Sequence, residues 1–220
     1  MNMSNEIIVW SHCNSCSRKT KHVILATKES EDTDEIESVG LVTWWDRYDM
    51  LQCQGCESVK LKHSSSFSEN PDVSVSYFPP DVSRPLPRWQ SKLPHTLRSM
   101  LSEIYTALHA DGRRLAMMGA PTVLDMVLLD KIGDVGTFSE KLKALERDGF
   151  IGQKQREYLA AALDVGSAAA HRGHNPNSAQ VNEVMDIIEN LLEGIYVLAR
   201  AADELKKTTP ARGTEKQKAP

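Results

Sequence analysis

Apolar and polar positions follow two different rhythms along this chain. Before Ser64 the apolar residues come in short runs rich in β-branched and aromatic side chains, and after Pro94 they recur at helical spacing. Glu6–Trp10, Lys21–Ala26, Leu41–Leu51 and Val59–His63 therefore predict strands. In 95–110, Leu97, Leu101, Ile104 and Leu108 fall on one helical stripe, which Asp111-Gly112 breaks. A second helix is expected over 113–132, with Leu115, Met118, Val123, Met126, Val127 and Leu129 apolar. Pro121 kinks or restarts it, because proline lacks an amide donor and crowds the preceding turn, and Gly133 and Gly136 end it.

Thr137-Phe138-Ser139-Glu140 has capping-box spacing, in which hydroxyl and carboxylate bond reciprocally to first-turn amides. It opens a third helix that Gly149 closes. A fourth helix begins near Gln153 and ends at His171. Asn177 or Ser178 caps the last and longest, where Val181, Val184, Ile188, Leu191, Ile195 and Leu198 form a continuous stripe. Short connections favour an antiparallel bundle.

Between the two halves, 64–87 is rich in serine and holds Pro71, Pro79, Pro80, Pro85 and Pro87. It reads as a linker, or as an extended arm packed on the next domain; Tyr77, Phe78 and Trp89 favour packing, since disordered segments lack aromatics. The expected organisation is a β ribbon over 1–66, a linker over 67–90, a helical bundle over 91–206 and a disordered tail over 207–220. The fold class is α+β.

The chain has 220 residues, with 26 lysines and arginines against 30 aspartates and glutamates, a net charge of −4. That excludes a global basic field for nucleic acid. No apolar run is long enough to span a membrane. The start, from Met1 to Trp10, lacks the basic residues and apolar core of a secretion signal. A cytoplasmic location is expected, where cysteines serve as metal ligands rather than disulfides.

The four cysteines form Cys13-Asn14-Ser15-Cys16 and Cys53-Gln54-Gly55-Cys56, with 36 residues between the pairs. Each C-x-x-C turn aims two thiolates at one ion, and two such pairs complete a tetrahedral Zn2+ site. Four thiolates leave no position for water, so this zinc is expected to hold the fold rather than catalyse. His12, His22 and His63 flank the knuckles as outer partners rather than ligands.

Six acidic residues crowd 29–37, which reads as a solvated loop that repels phosphate. Arg18, Lys19, Lys21, Lys60 and Lys62 lie near the knuckles and offer a small basic patch, or simply a solvated surface. Trp44, Trp45 and Tyr48 are expected to supply the apolar content of so small a domain, with base stacking as the alternative.

The stretch Ala160–Pro176 is built of small residues and ends in His-Arg-Gly-His. Alanine favours helix, Gly166 suits close packing, Gly173 suits the left-handed residue past a helix end, and Pro176 blocks continuation. Asp164, Ser167 and His171 share one helical face. A carboxylate, a hydroxyl and an imidazole on one stripe suit acid–base chemistry; the structural alternative is a histidine that caps the helix.

Arg114-Leu115-Ala116-Met117-Met118-Gly119, then Gly136–Leu142, Gly149-Phe150-Ile151 and Asp164–Pro176, resemble the bacterial domain of unknown function 4145 over about 90–200. The paired cysteines resemble the zinc ribbons that precede this domain. The domain is itself similar to the HEPN superfamily of small helical bundles, which implies dimers and, in many members, metal-independent ribonuclease activity in toxin–antitoxin and anti-phage systems. Active members carry Arg-x(4–6)-His. Here His171 takes the histidine position, but 164–167 is Asp-Val-Gly-Ser and the arginine is Arg172, about a hundred degrees around the helix.

Three functions follow from these readings. One is a non-catalytic module that binds a nucleic acid or a protein in a defence or regulatory complex. Another is a ribonuclease with His171 as general acid–base, Arg172 stabilising phosphorane charge, and Asp164, Ser167 and His174 orienting them; Arg113 or Arg114 would stand in for the missing arginine. The third is a homodimerising scaffold.

Overall fold

A computed structural model describes residues 7–210. The amino-terminal half is a five-stranded antiparallel sheet in which every strand pairs with its sequence neighbour. Its strands are β1 (Ile8–Cys13), β2 (Arg18–Ile36), β3 (Gly40–Cys53), β4 (Val59–Phe67) and β5 (Asn70–Phe78). The two cysteine knuckles are the β1–β2 and β3–β4 turns, so both lie at one end of the sheet.

The acidic segment is strand over 29–36 rather than loop, and only Glu37 lies in the turn that follows. Glu29 pairs with Arg47, and the ladder continues to Ile36 opposite Gly40. β1 covers only the first part of β2, so the outer edge beyond Ile24 has no partner strand among the described residues. Carboxylates on such an edge discourage a further strand from adding to it, which accounts for charge within a β segment.

Trp44, Trp45 and Tyr48 do not form a buried core. A single sheet layer with no helix across it cannot bury both faces, and Trp45 remains exposed while Trp44 and Tyr48 are half-buried. The buried apolar residues of the ribbon are Cys13, Val42, Leu51 and Cys53, and three of them cluster at the knuckle end.

The expected linker is shorter than 67–90. Val73, Val75 and Tyr77 alternate with serines, the period of a strand, and β5 pairs with β4 from Phe67–Asn70 to Leu61–Phe78. Beyond it, 79–87 is an arm packed on the bundle. Val82 is fully buried in the helical core, with Leu86 and Trp89 against it.

The helices are α1 (His95–His109), α2 (Arg113–Lys131), α3 (Phe138–Arg147), α4 (Gln153–His171) and α5 (Ser178–Leu192). α5 continues through a π-helical stretch, Glu193–Leu198, into α6 (Ala199–Thr208). The helix therefore takes in Thr208, past the expected start of the tail at 207, while 211–220 lies outside the described residues. The predicted Thr137–Glu140 cap forms, and of the two candidates for α5 it is Asn177, with Gln180, that caps the helix.

Pro121 sits inside α2 without ending it. It packs against Gly166 of α4, where a side chain would lie 2.6 Å from Pro121 Cδ and 2.7 Å from the Met117 carbonyl oxygen. The small-residue stretch thus lets two helix backbones approach closely. Among the described residues no helix is long and apolar enough to cross a membrane.

Candidate functional site

The four cysteine sulfurs lie within 4.8 Å of one another. Cys13 and Cys56 approach to 3.5 Å, and Cys16 and Cys53 to 4.0 Å. Tetrahedral Zn–S bonds of about 2.3 Å put sulfurs roughly 3.8 Å apart, so the cluster fits one ion. The two turns share a backbone device: the residue after each second cysteine, Ser17 or Glu57, is left-handed, with φ of 52° and 62°. That reversal sends the chain straight back into the next strand.

Hydroxyl and amide donors surround the sulfurs. Thr20 Oγ1 lies 3.2 Å from Cys53 Sγ, and the Gly55 amide donates to the same sulfur at 3.3 Å. Ser58 Oγ is 3.3 Å from Cys13 Sγ and 3.1 Å from Cys56 Sγ. Burial opposes ionisation of Cys53, yet hydrogen bonds from Thr20 and from the Cys56 and Gly55 amides bring its thiol down to about 6. Ser58 lowers Cys56. Hydrogen bonds shared with Cys56 and Cys13, reinforced by burial, push Cys16 up to about 12. A divalent cation takes the place of such protons, and a four-thiolate set suits zinc.

The flanking histidines contribute no ligand atom to this cluster. His22 is buried opposite Cys53, its Nδ1 3.1 Å from the Thr20 carbonyl oxygen. His63 lies farther along the sheet, stacked on Tyr48 and bonded to Asp46 at 2.6 Å. His12 contributes its carbonyl oxygen, which accepts from Lys60 at 2.9 Å.

The basic patch is smaller than its sequence suggests. Lys60 is buried and paired with Asp81 at 2.9 Å. Arg18 and Lys19 are exposed, as is Lys21, whose ammonium stands 5.8 Å from the Trp10 ring across the β1–β2 pair. Trp10 is 59% exposed.

At the other candidate site, Asp164, Ser167 and His171 share an exposed face of α4, opposite the buried Leu159, Ala162, Gly166 and Ala169. No hydrogen bond joins the three among the described residues. Arg172 instead folds back to Asp164, donating to its carboxylate at 2.6 Å and its carbonyl at 2.9 Å. Gly173 adopts the expected left-handed φ of 68°. The half-buried His174 donates its amide to the Ala168 carbonyl at 3.1 Å. Arg114, in the first turn of α2, shares a shallow groove with Arg113 and Asn175, so α2 brings arginines to the end of α4.

One family model matches the chain over 102–208, described as domain of unknown function, DUF4145. The helical half is a DUF4145 domain. No curated protein and no solved structure matches the chain. The four-cysteine ribbon precedes the DUF4145 domain and is tied to it by polar contacts that sequence reasoning missed. Asn14, inside the first knuckle, donates to the carbonyls of Pro80 and Ser83. Arg84 then reaches Asp186 at 2.6 Å and Glu189 at 3.2 Å on α5, and Tyr105 donates to the same Glu189. The only advance signal was the apolar content of the proline-rich arm; nothing local marks Asn14 or Arg84.

Proposed function

We propose that the chain is a non-catalytic interaction module: a structural zinc ion organises the ribbon, the HEPN-like bundle is the scaffold, and the ribbon binds nucleic acid in a defence or regulatory complex. The carrying observation is the exposed Trp10 beside Lys21 at the knuckle end, with Lys19 following Lys21 on the same face of β2. An open aromatic ring flanked by cations suits a stacked base and its phosphates. The acidic β2–β3 hairpin repels phosphate and confines such binding to this corner. Self-association into a homodimer is part of the reading, as is a cytoplasmic location.

The non-catalytic reading draws support from the α4 face. Arg172 and Asp164 are spent on each other, and His171 has no hydrogen-bond partner among the described residues. The ribonuclease reading keeps one observation in its favour, the nearness of Arg113 and Arg114 to the His-Arg-Gly-His turn.

Fluorescence anisotropy of labelled single-stranded RNA and DNA tests the proposal on the full chain. Binding should weaken as salt rises, and Trp10→Ala or Lys21→Glu should weaken it by at least about tenfold. No binding of either oligonucleotide at low salt would overturn the nucleic-acid reading and leave a protein partner. Incubated with RNA in EDTA, the protein should leave it intact. Cleavage by the wild type that His171→Ala abolishes would make it a ribonuclease instead.

A further inference from the structure

The sheet has two open edges of opposite character. The outer edge of β2 beyond Ile24 carries Glu29, Glu31, Asp32, Asp34 and Glu35. The outer edge of β5 has no charge from Val73 to Phe78, and Val73, Val75 and Phe78 are 60%, 47% and 71% exposed. Apart from the β4 ladder, no hydrogen bond ties Val73–Phe78 to another segment among the described residues. An uncharged strand edge with free amides and carbonyls is a template for another strand.

We propose that two copies of the chain pair through β5, antiparallel about Val75, joining their sheets into one. This interface specifies the self-association proposed above and rests on it. The second copy is the occupant because the edge is self-complementary. Pro71 and Pro79 lack amide donors and bound the stretch 72–78, whose middle residue is Val75 and whose one charge, Asp72, stands at its end. Pairing about that residue sets Val75 against its own copy and each Val73 against the other chain's Tyr77. A two-fold contact of this kind buries the same patch on both subunits and closes at two.

A groove of about 480 Å³ follows β5, walled on one side by Val75 to Phe78 and on the other by His109 to Asp111 and Arg113. Consecutive strand residues line it, so it meets the edge rather than one face, which would present alternate residues. Two of its carboxylates are already matched: Asp111 with Arg113 at 2.8 Å, and Asp81 with Lys60 at 2.9 Å. With those pairs formed, the one charge the incoming stretch brings is Asp72, opposite Phe78. Two β2 edges brought together would instead oppose carboxylates.

Size-exclusion chromatography with light scattering on the full chain tests this, with bound metal and circular dichroism confirming that each variant is folded. The wild type should be a dimer. Val75→Lys and Val75→Glu each set like charges face to face on the two-fold axis and should weaken association by at least about tenfold. An equimolar mixture of the two variants should restore the dimer, while Val75→Thr should remain dimeric. A monomeric wild type would overturn both the self-association and this interface, leaving the edge to a foreign strand. A dimer that survives Val75→Lys would overturn the β5 interface alone. A mixture that stays monomeric would overturn pairing about Val75.

Discussion

Asn14 Nδ2 donates to the Ser83 carbonyl at 2.6 Å and to the Pro80 carbonyl at 2.7 Å, which joins the first cysteine knuckle to the arm of the helical domain. Val82, between those carbonyls, is fully buried in the helical core. The metal turn and the DUF4145 domain therefore grip the same few residues. Asn14→Ala should keep the cysteines metal-loaded yet release the arm. The lost hydrogen bonds are worth about 1 kcal/mol each, and faster proteolytic cutting within 79–87 is the readout. An unchanged cutting rate would mean that Val82 and Arg84 alone hold the arm.

Removing the metal should separate the halves by stability. In such sites binding energy is folding energy, and the ribbon has few other buried apolar residues. Cys53→Ser, or a strong chelator, should abolish the β1–β4 fold while the helical circular dichroism signal persists. Metal analysis of the purified protein should find about one zinc per chain, and a chain without metal would sink the site.

Gly166→Ala should cost about 1–3 kcal/mol, the usual range for overpacking. A Cβ there meets a backbone carbonyl as well as the Pro121 ring, and neither can rotate away. The neighbouring Ala170→Ser, on the exposed face, should change the thermal midpoint little.

Glu189 carries a pH dependence whose sign follows from its surroundings. Burial raises its carboxyl above the usual 4.5, with the Tyr105 hydroxyl and Arg84 pulling the other way. The folded state thus holds this proton more tightly than the unfolded chain. Its contribution is fully present below pH 4.5 and fades as pH rises through the folded value. The wild type minus Glu189→Gln stability difference, from urea midpoints, should therefore fall across the range just above pH 4.5. A flat difference would show that Arg84 fully offsets the burial.

The elements legible in the sequence are those whose causes are local. A C-x-x-C turn needs only its own residues to aim two thiolates, and two turns supply four. Thr137 with Glu140 caps its helix through bonds spanning three residues, so that boundary could be read directly, and the start of α5 could be read to within Asn177 or Ser178. Gly166 and Gly173 carried their packing and turn roles in their identity. Tertiary structure alone decided what depends on distant partners. Residues 29–36 are strand because β3 lies alongside them, despite their charge, and 70–78 is strand because β4 offers a ladder. Trp44 and Trp45 remain outside a core because no second layer covers the sheet. The Asp164–Ser167–His171 stripe was correctly one face, but helical periodicity fixes only which residues share a face. Whether that face meets the core or solvent depends on where α2 packs, and α2 packs against the side opened by Gly166.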